Sequence, residues 1–282
     1  MTGRIAGGVL ACAALMLTAA APPPSASMPR HSSLPRIVSL NPCTDAILVE
    51  VADPAQILAL SAYSRDRASS SLPAGVADRY AVTHGTVEEV VTLHPDVVFD
   101  GAFVAPATAD AYRRLGLRLE TLGTQRSIAD GLRDVHRLAA IAGHPDRGNA
   151  LAWRIEAALA QSAPPPGARP IDTVLWEWGG MVAGRDTLID DLLGRTGFAN
   201  MAARQGYAQA DLYPIERLLA HPPRLILTVG DDRALHHPAL RAIPGTTRAD
   251  FPAGLLYCGG PAMIRAAQWL ADVRRSLTDG RQ

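Results

Sequence analysis

The chain has 282 residues, of which 48% are hydrophobic, and its 27 basic and 27 acidic residues give a formal net charge of zero. This balance excludes the strong positive field typical of a nucleic-acid partner, and the apolar content is ample for one large or two smaller cores. All 27 basic residues are arginine, so a P-loop lysine, a pyridoxal Schiff base and a kinase-type lysine are also excluded.

The first 26 residues have the pattern of a secretory signal peptide. Arg4 precedes an apolar run over about residues 5–21, and small residues close that run. We therefore predict export, with cleavage near residues 21–26; a membrane anchor is the alternative, and Gly and Thr residues within the run weigh against it. No other segment approaches the ~20 apolar residues needed to span a bilayer. The Pro- and Ser-rich residues 27–35 are expected to form a flexible tail.

Strands and helices alternate between residues 36 and 143. Short apolar runs bounded by turn residues predict strands, and the segments between them have helical start signals. Such alternation is typical of parallel strands with helices on both faces. The predicted strands are "RIVSL", "QILALS", "DVVFD" and "RLETL", and the predicted helices begin at "NPCTD", "TVEEV" and "ATADA".

The alternation stops at Ser127, where about 35 residues of continuous helical pattern begin. Residues 144–162 are predicted to be a connecting helix, and "SAPPPGARP" ends it because proline lacks the amide that a helix donates. A second α/β segment, residues 163–282, contains "IDTVLWEW", "TLIDDLLGRTG", a final strand near Leu255 and a closing amphipathic helix. We predict two α/β lobes with parallel-type sheets, joined by a single long helix, with a ligand cleft between them; one large mixed sheet is the alternative.

One pattern occurs twice in the chain. Glu88 stands seven residues before Pro95, Glu216 stands seven residues before Pro223, and an apolar strand follows each proline. A lone Glu in the first turn of a helix is explained by the helix dipole. Two such residues at the same structural address instead predict that each lobe offers one carboxylate to an arginine-bearing partner.

The common catalytic motifs are missing, since the chain has no GxSxG, HExxH, EF-hand or GxGxxG sequence. This favours a protein that is not an enzyme. Aromatic residues stand instead near predicted strand ends, where the loops of a parallel sheet line a ligand crevice. The alternative is that Trp176 and Phe103 pack in a core. The candidate ligand contacts are Tyr63, His84, Phe103, Trp176 and Trp178.

Three cysteines are present, and Cys12 belongs to the predicted signal peptide. Cys43 and Cys258 remain near opposite ends of the mature chain. In an oxidising compartment an even pair can form a disulfide. Because the sequence does not contain the distance between the sulfur atoms, two unpaired thiols remain the default interpretation, and metal ligation by the pair is a further alternative.

Together these segments resemble the substrate-binding proteins of ABC importers for cobalamin and ferric siderophores. The resemblance rests on "RIVSLNPCTDAILVEVADPAQILALSAYS", "THGTVEEVVTLHPDVVFDG", "VAGRDTLIDDLLGRTGFAN" and "PIERLLAHPPRLIL". It implies two lobes bridged by a rigid helix near residues 145–161. It also implies that Glu88 and Glu216 dock onto the two permease subunits, and that Tyr63, His84 and the stretch from Trp176 to Met181 hold the ligand.

The expected function is therefore that of a monomeric periplasmic receptor that delivers a corrinoid or iron chelate to an ABC permease dimer in the inner membrane. It would need no cofactor of its own, because cobalt or iron would arrive within the ligand, and no nucleic acid. Cys43, His84 and Cys258 depart from the familiar pattern of this group. The alternative is an exported haem- or metal-binding protein, or a metal-dependent enzyme, that uses these three residues.

Overall fold

The computed structural model describes residues 2–3, 34–231, 237–241 and 243–279. The predicted signal peptide, Cys12 and most of the predicted tail thus lie outside the described residues. Residues 34–282 belong to one compact unit, and the following account concerns that unit.

The first sheet has five strands in the order β3-β2-β1-β4-β5, and all of its neighbouring pairs are parallel. β1 is completely buried, as its unbroken apolar sequence predicts. α1 follows directly, with Pro42 in its first turn and the Asn41 side chain accepting a hydrogen bond from the Cys43 amide at 2.8 Å. The elements are β1 (Ile37–Ser39), α1 (Pro42–Val51), β2 (Ile57–Ser61), β3 (Val82–Thr83), α2 (Val87–Thr92), β4 (Val97–Asp100), α3 (Pro106–Arg114) and β5 (Leu119–Thr121).

Two long helices follow, α4 (Ile128–Ala142) and α5 (Pro145–Gln161). Gly143, at φ 85°, ends α4 in the left-handed conformation that glycine adopts without strain, and Pro145 starts α5. α5 packs against α4, α1 and the last helix. At Gly148 the packing is so close that an added Cβ would lie 2.5 Å from the Cβ of Ala139. The connecting helix predicted for residues 144–162 is therefore present and is packed along its length.

The second sheet has the order β11-β10-β6-β7-β9, with β8 also paired to β6. β10 is parallel to β6 and β11, and β8 is parallel to β6, whereas β7 is antiparallel to both β6 and β9. The strands are β6 (Ile171–Glu177), β7 (Met181–Ala183), β8 (Phe198–Asn200), β9 (Gln209–Leu212), β10 (Leu225–Val229) and β11 (Thr247–Asp250), and the helices are α6 (Leu188–Arg195), α7 (Met201–Arg204), α8 (Ile215–Ala220), α9 (Pro238–Arg241) and α10 (Ala262–Asp279).

The strand predicted near Leu255 is wrong. The chain forms a 3-10 turn at Ala253–Leu255, directly after Pro252, and β11 already ends at Asp250. Proline cannot donate to a strand ladder, and Gly254 lies against backbone, since a Cβ there would be 2.3 Å from the carbonyl oxygen of Ser70. The segment is apolar because it packs between other elements, not because it pairs in a sheet.

The repeated pattern of the sequence is also a repeat of structure. α2 and α8 each have six residues and each begin one residue before the glutamate. Val90 and Leu218, two residues after the respective glutamates, are the buried members of these helices. β4 and β10 then begin at equivalent positions. Glu88 and Glu216 are both exposed on the surface.

One large hydrophobic cluster connects the two sheets through α4, α5 and α10. It includes Ile37 and Phe99 of the first sheet, Ile155 of α5, Leu225 of the second sheet and Met263 of α10. Two smaller clusters form elsewhere, one with residues of each sheet. β1–β5 fall within residues 36–143 and β6–β11 within 163–282, and these lobe boundaries stay predictions. In the part of the chain that the structure describes, no helix is long and apolar enough to cross a membrane.

Candidate ligand cleft

A cleft of about 870 Å³ lies where loops of both sheets meet. Most of its wall consists of strand ends and the segments that follow them, namely the segments after β1, β4 and β5 in the first sheet, and the end of β6 and the segment after β7 in the second. In open α/β sheets this carboxyl edge is where ligands bind. The lining segments are Asn41 and Cys43, residues 101–103 and 122–126, Glu177, Ala183 with residues 185–189, residues 208–210, and Leu256 with Tyr257.

A disulfide between Cys43 and Cys258 forms part of this region, with a Cα–Cα distance of 5.0 Å. It joins the start of α1 to the loop before α10, and Cys43 lies in the cleft wall. Of the states that the sequence left open, the structure has the bonded one. The use of both cysteines as metal ligands is therefore wrong for this state, because neither sulfur is a thiolate. Among the described residues no group of three or more His, Cys, Asp or Glu side chains is placed to hold a metal ion.

Glu177 and Tyr257 form a hydrogen-bonded pair in the wall of the cleft. Glu177 is the last residue of β6 and is only 5% exposed, whereas Tyr257 is half exposed. The Tyr257 hydroxyl donates to Oε2 of Glu177 at 2.5 Å. Burial raises the pKa of Glu177, and the hydrogen bond from Tyr257 opposes that rise. Burial, and then the neighbouring carboxylate, raise the pKa of Tyr257 well above its usual value.

The loop that carries Tyr257 is fixed on both sides of the disulfide. The Gly259 amide donates to the side-chain oxygen of Gln125 at 2.5 Å, and the Gln125 nitrogen donates to Asp134 of α4 at 2.7 Å. A Cβ at Gly259 would lie 2.6 Å from the same Gln125 oxygen. Cys258, between them, is bonded to Cys43. The phenol of Tyr257 is therefore attached to a loop with little freedom to move.

Two arginines, Arg126 and Arg185, line the cleft from opposite sheets, and both are exposed. Arg126 Nε donates to the carbonyl oxygen of Asp186 at 3.4 Å, which connects the loop after β5 to the loop after β7. A second contact joins the same two segments, because the Ile128 amide donates a hydrogen bond to the Asp191 carboxylate at 3.0 Å. Guanidinium groups in this position are suited to bind an anionic group of a ligand.

The antiparallel strands β7 and β9 shape one side of the cleft. A Cβ at Gly184 would lie 2.0 Å from the Tyr207 carbonyl oxygen, so only glycine allows the chain after β7 to approach the chain before β9 this closely. The Asn200 side chain donates to the Ala183 carbonyl oxygen at 2.8 Å and holds the same turn from β8. Both Ala183 and residues 208–210 line the cleft.

The predicted ligand contacts have different positions. Phe103 lines the cleft and is 93% exposed, so nothing in the protein covers its ring. Trp176 is 3% exposed and packs with Val174 and Tyr213 in a core cluster. Ligand contact by Trp176 is therefore wrong, because its side chain is buried in the sheet.

The other predicted contacts lie outside the lining of the cleft. Tyr63 and His84 are exposed in the segments after β2 and β3, on the far side of β1 from β4 and β5. His84 lies 3.7 Å from Glu89, whose other oxygen accepts from Thr83. Trp178 is exposed in the turn after Glu177, and Met181 is half buried at the start of β7.

Sequence reasoning missed three of the polar residues in the wall, namely Tyr257, Arg126 and Arg185. It included Glu177 only within the stretch from Trp176 to Met181 that the resemblance implicated. Glu177 had a local signal, since it is an acidic residue between two tryptophans at the end of an apolar strand. Tyr257 is adjacent to Cys258, whose importance was recognised. The two arginines had no signal in the sequence that separated them from the other basic residues of the chain.

Two α/β sheets with a shared core and a cleft at their carboxyl edges define a ligand-binding protein of the two-lobed class. The chain belongs to the periplasmic binding protein family, which matches residues 37–247. This family consists of substrate-binding proteins that work with ABC permeases, not of enzymes. No curated protein matches the chain.

Solved structures show the same fold at low sequence identity. A periplasmic haem-binding protein from Roseiflexus sp. RS-1, in its apo form, is 22% identical, with a TM-score of 0.70 over 89% of this chain and 100% of that one. A periplasmic vitamin B12-binding protein of Vibrio cholerae is 18% identical, with a TM-score of 0.68 over 86% and 98%. A periplasmic haem-binding protein of Vibrio cholerae is also 18% identical, with a TM-score of 0.70 over 85% and 98%.

Proposed function

We propose that this protein is the periplasmic substrate-binding component of an ABC importer and that it captures a corrinoid or a ferric siderophore. The observation that carries the proposal is the cleft of about 870 Å³ between the two sheets. Ligand pockets commonly measure ~300–1,000 Å³, so this volume suits a large ligand. Structural neighbours are described as binding vitamin B12 and haem, which supports a ligand of that size.

The composition of the wall supports a broad, partly apolar ligand. Phe103, Leu122, Leu188 and Leu256 provide apolar surface, and the uncovered ring of Phe103 is suited to stack on a flat ligand. Tyr63, His84, Trp178 and Met181 are proposed contacts for parts of the ligand that extend beyond the cleft.

Glu88 and Glu216 are the proposed docking residues for the permease. They occupy equivalent positions in α2 and α8, and both are exposed. A dimeric permease with an arginine-bearing surface on each subunit would meet one carboxylate from each lobe.

The protein is proposed to be exported and to act as a monomer without a cofactor. Residues 1–26 act as a signal peptide cleaved near residues 21–26, and the mature chain works in the periplasm as a monomer. It needs no cofactor of its own, because any cobalt or iron belongs to the ligand. An exported haem-binding protein is the second candidate, since two of the structural neighbours above bind haem by description.

A thermal-shift and absorbance screen tests the proposed function. The mature protein would be titrated with cobalamin, dicyanocobinamide, hemin, ferric siderophores and simple metal salts. A ligand at ~100 times its dissociation constant stabilises the folded state by about 2.7 kcal/mol. We expect stabilisation by a corrinoid or a ferric siderophore. Stabilisation by hemin alone would select the second candidate, and a response to bare metal ions alone, or to nothing, would contradict the proposal.

Phe103→Ala tests the cleft directly. Loss of a stacked aromatic ring is expected to weaken ligand binding by about 1–2 kcal/mol, or roughly 10-fold, without loss of stability, because the ring is uncovered. Trp153→Ala is the matched control, since Trp153 is an exposed aromatic residue of α5 that does not line the cleft. Equal effects of the two variants on ligand affinity would show that Phe103 does not contact the ligand.

Charge reversal at Glu88 and Glu216 tests the proposed docking onto the permease. Glu88→Arg combined with Glu216→Arg should abolish ligand uptake in cells while the affinity for ligand in solution is unchanged, because neither residue lines the cleft. Glu156→Arg, at an exposed glutamate of α5, is the control for charge reversal. Normal uptake by the double variant would disprove the docking role.

A further inference from the structure

The strongest unexplained feature of the cleft is a buried carboxylate in its wall. Glu177 is 5% exposed, and its carboxylate receives a hydrogen bond from Tyr257. Burial of a carboxylate is costly unless donors satisfy it. A hydrophobic residue at the end of β6 would complete the apolar wall at no such cost, so the fold does not require an acid here.

The hydrogen bond determines what the pair presents to a ligand. Tyr257 has one hydroxyl proton, and it is directed to Oε2 of Glu177. Oε1 of Glu177 remains as an acceptor, whereas the phenol oxygen already accepts a hydrogen bond from the Trp178 side chain. Neither Glu177 nor Tyr257 has a further proton to donate while Glu177 is ionised. The pair therefore suits a ligand group that donates hydrogen bonds, such as a primary carboxamide. It disfavours a ligand carboxylate, because two carboxylates repel each other and neither can satisfy the other.

The structure also holds this pair in place. Glu177 pairs in register with Val229 of β10, and Tyr257 precedes the half of the disulfide at Cys258. The Cys43 sulfur lies near the Tyr257 carbonyl oxygen, at 4.0 Å, and the Gly259 amide is bound by Gln125. Acceptors fixed in this way lose little conformational entropy when a ligand binds. Anionic parts of a ligand have a separate partner in Arg126 and Arg185 of the same cleft.

We propose that the Glu177–Tyr257 pair is a specificity determinant of the cleft. The pair accepts hydrogen bonds from an amide group of the ligand. It therefore favours an amide-bearing corrinoid over a ligand that brings a carboxylate to this position. The inference rests on the proposed function and names the ligand class within it. The disulfide acts as the positioning element of the pair.

The test compares two conservative variants with two probes. Dissociation constants of dicyanocobinamide, which bears carboxamides, and of hemin, which bears carboxylates, would be measured for the wild type, Glu177→Gln and Tyr257→Phe. We expect the wild type to prefer dicyanocobinamide and each variant to bind it about 10-fold more weakly, the scale of one lost hydrogen bond to a charged group. Binding of hemin by Glu177→Gln should be unchanged or tighter, because the repulsion is removed.

A pH series separates recognition from a purely structural role. An amide donor binds the ionised form of Glu177, so the wild-type affinity for dicyanocobinamide should fall as the pH is lowered through the pKa of Glu177 in the free protein. This dependence should be absent in Glu177→Gln. Circular dichroism and thermal unfolding of each variant would establish that it is folded, and Tyr257→Phe keeps the ring of a half-exposed residue.

The outcomes distinguish this inference from the proposed function. If both variants bind dicyanocobinamide as the wild type does, the pair has no role in specificity and the proposed function stands. If the wild type binds a ferric siderophore but not dicyanocobinamide, the receptor function stands and the amide inference is wrong. If the wild type binds hemin most tightly, the inference and the corrinoid or siderophore assignment are both wrong. If it binds none of the probes, both are wrong as well.

Discussion

The two sheets are built from similar units but contribute different chemistry to the cleft. The first sheet is entirely parallel, and only its strand ends reach the cleft, with Cys43, Phe103 and Arg126 as its main contributions. The second sheet contains the antiparallel strands β7 and β9, and the segment after β7 together with the start of β9 adds a longer wall with Arg185 and Gln209. The parallel strands of the first sheet offer a ligand only their carboxyl ends, whereas the antiparallel pair β7 and β9 also brings the chain beside those strands into the wall.

The repeated units show which of their features are shared. α2 is capped by Thr86, whose hydroxyl accepts from the Glu89 amide at 3.3 Å, whereas α8 follows Pro214 and has no side-chain cap. The glutamate and the buried residue two positions later are common to both. The two helices therefore share the exposed carboxylate without sharing the means by which they begin, which supports a role for the glutamates beyond helix capping.

The largest expected effect comes from cutting the covalent link between the two parts of the chain. The disulfide closes a loop with a sequence separation of 215 residues. Constraint of the unfolded state by so long a loop stabilises the fold by roughly 5 kcal/mol in the chain-entropy model, and measured values are commonly 2–5 kcal/mol. Cys43→Ala with Cys258→Ala should lower the urea midpoint accordingly. Reductant should lower the urea midpoint of the wild type and leave that of the double variant unchanged. Equal urea midpoints of the two proteins without reductant would contradict the prediction.

The next effect lies beside the first sheet, at Asp45 in the first turn of α1. Burial raises the pKa of Asp45 to about 7, although it accepts hydrogen bonds from the Ser64 hydroxyl at 2.5 Å and the Ser61 amide at 2.9 Å. The folded state thus holds a proton that the unfolded state releases near pH 4, so this group makes the free energy of unfolding fall as the pH rises from about 4 to 7. The total change is on the order of 4 kcal/mol.

Asp45→Asn is the variant that checks this slope. Its free energy of unfolding should decrease less than that of the wild type between pH 4 and pH 7, as measured by urea titration at each pH. Asp78→Asn is the control, because Asp78 has an exposed side chain. Identical pH profiles of the wild type and Asp45→Asn would show that Asp45 is ionised throughout the range.

A smaller effect is expected in the second sheet, where the chain after β7 passes close to the chain before β9. Gly184→Ala places a Cβ 2.0 Å from the Tyr207 carbonyl oxygen, so backbone must move, at a cost of about 1–3 kcal/mol. Gly194→Ala is the matched control in α6, where nothing lies within 4 Å, and it should stabilise the helix by about 0.5–1 kcal/mol. Thermal unfolding would measure both. Unchanged stability of Gly184→Ala would contradict the prediction and show that the backbone around Gly184 adapts easily.

Local signals predicted much of the fold. The connecting helix was predicted within one residue at each end, because Pro145 suits a first helical turn and the proline-rich stretch after Gln161 cannot continue a helix. The parallel core strands were predicted because they are unbroken apolar runs. β3, β7, β8 and β9 were missed, since each has at most four residues and none of them is buried along its whole length, and β9 is exposed throughout.

The candidate site was predictable only in part. The sequence by itself determined the alternation of strands and helices and the repeat that presents Glu88 and Glu216, because both depend on neighbouring or regularly spaced residues. It also showed that Cys43 and Cys258 are present, but not that they are close together. Only the tertiary structure decided that Trp176 is buried, that Cys43 meets Cys258 and that Tyr257 meets Glu177 across 80 positions. These contacts depend on how the two sheets pack around α5, and no local pattern of residues contains a distance between segments so far apart in the chain.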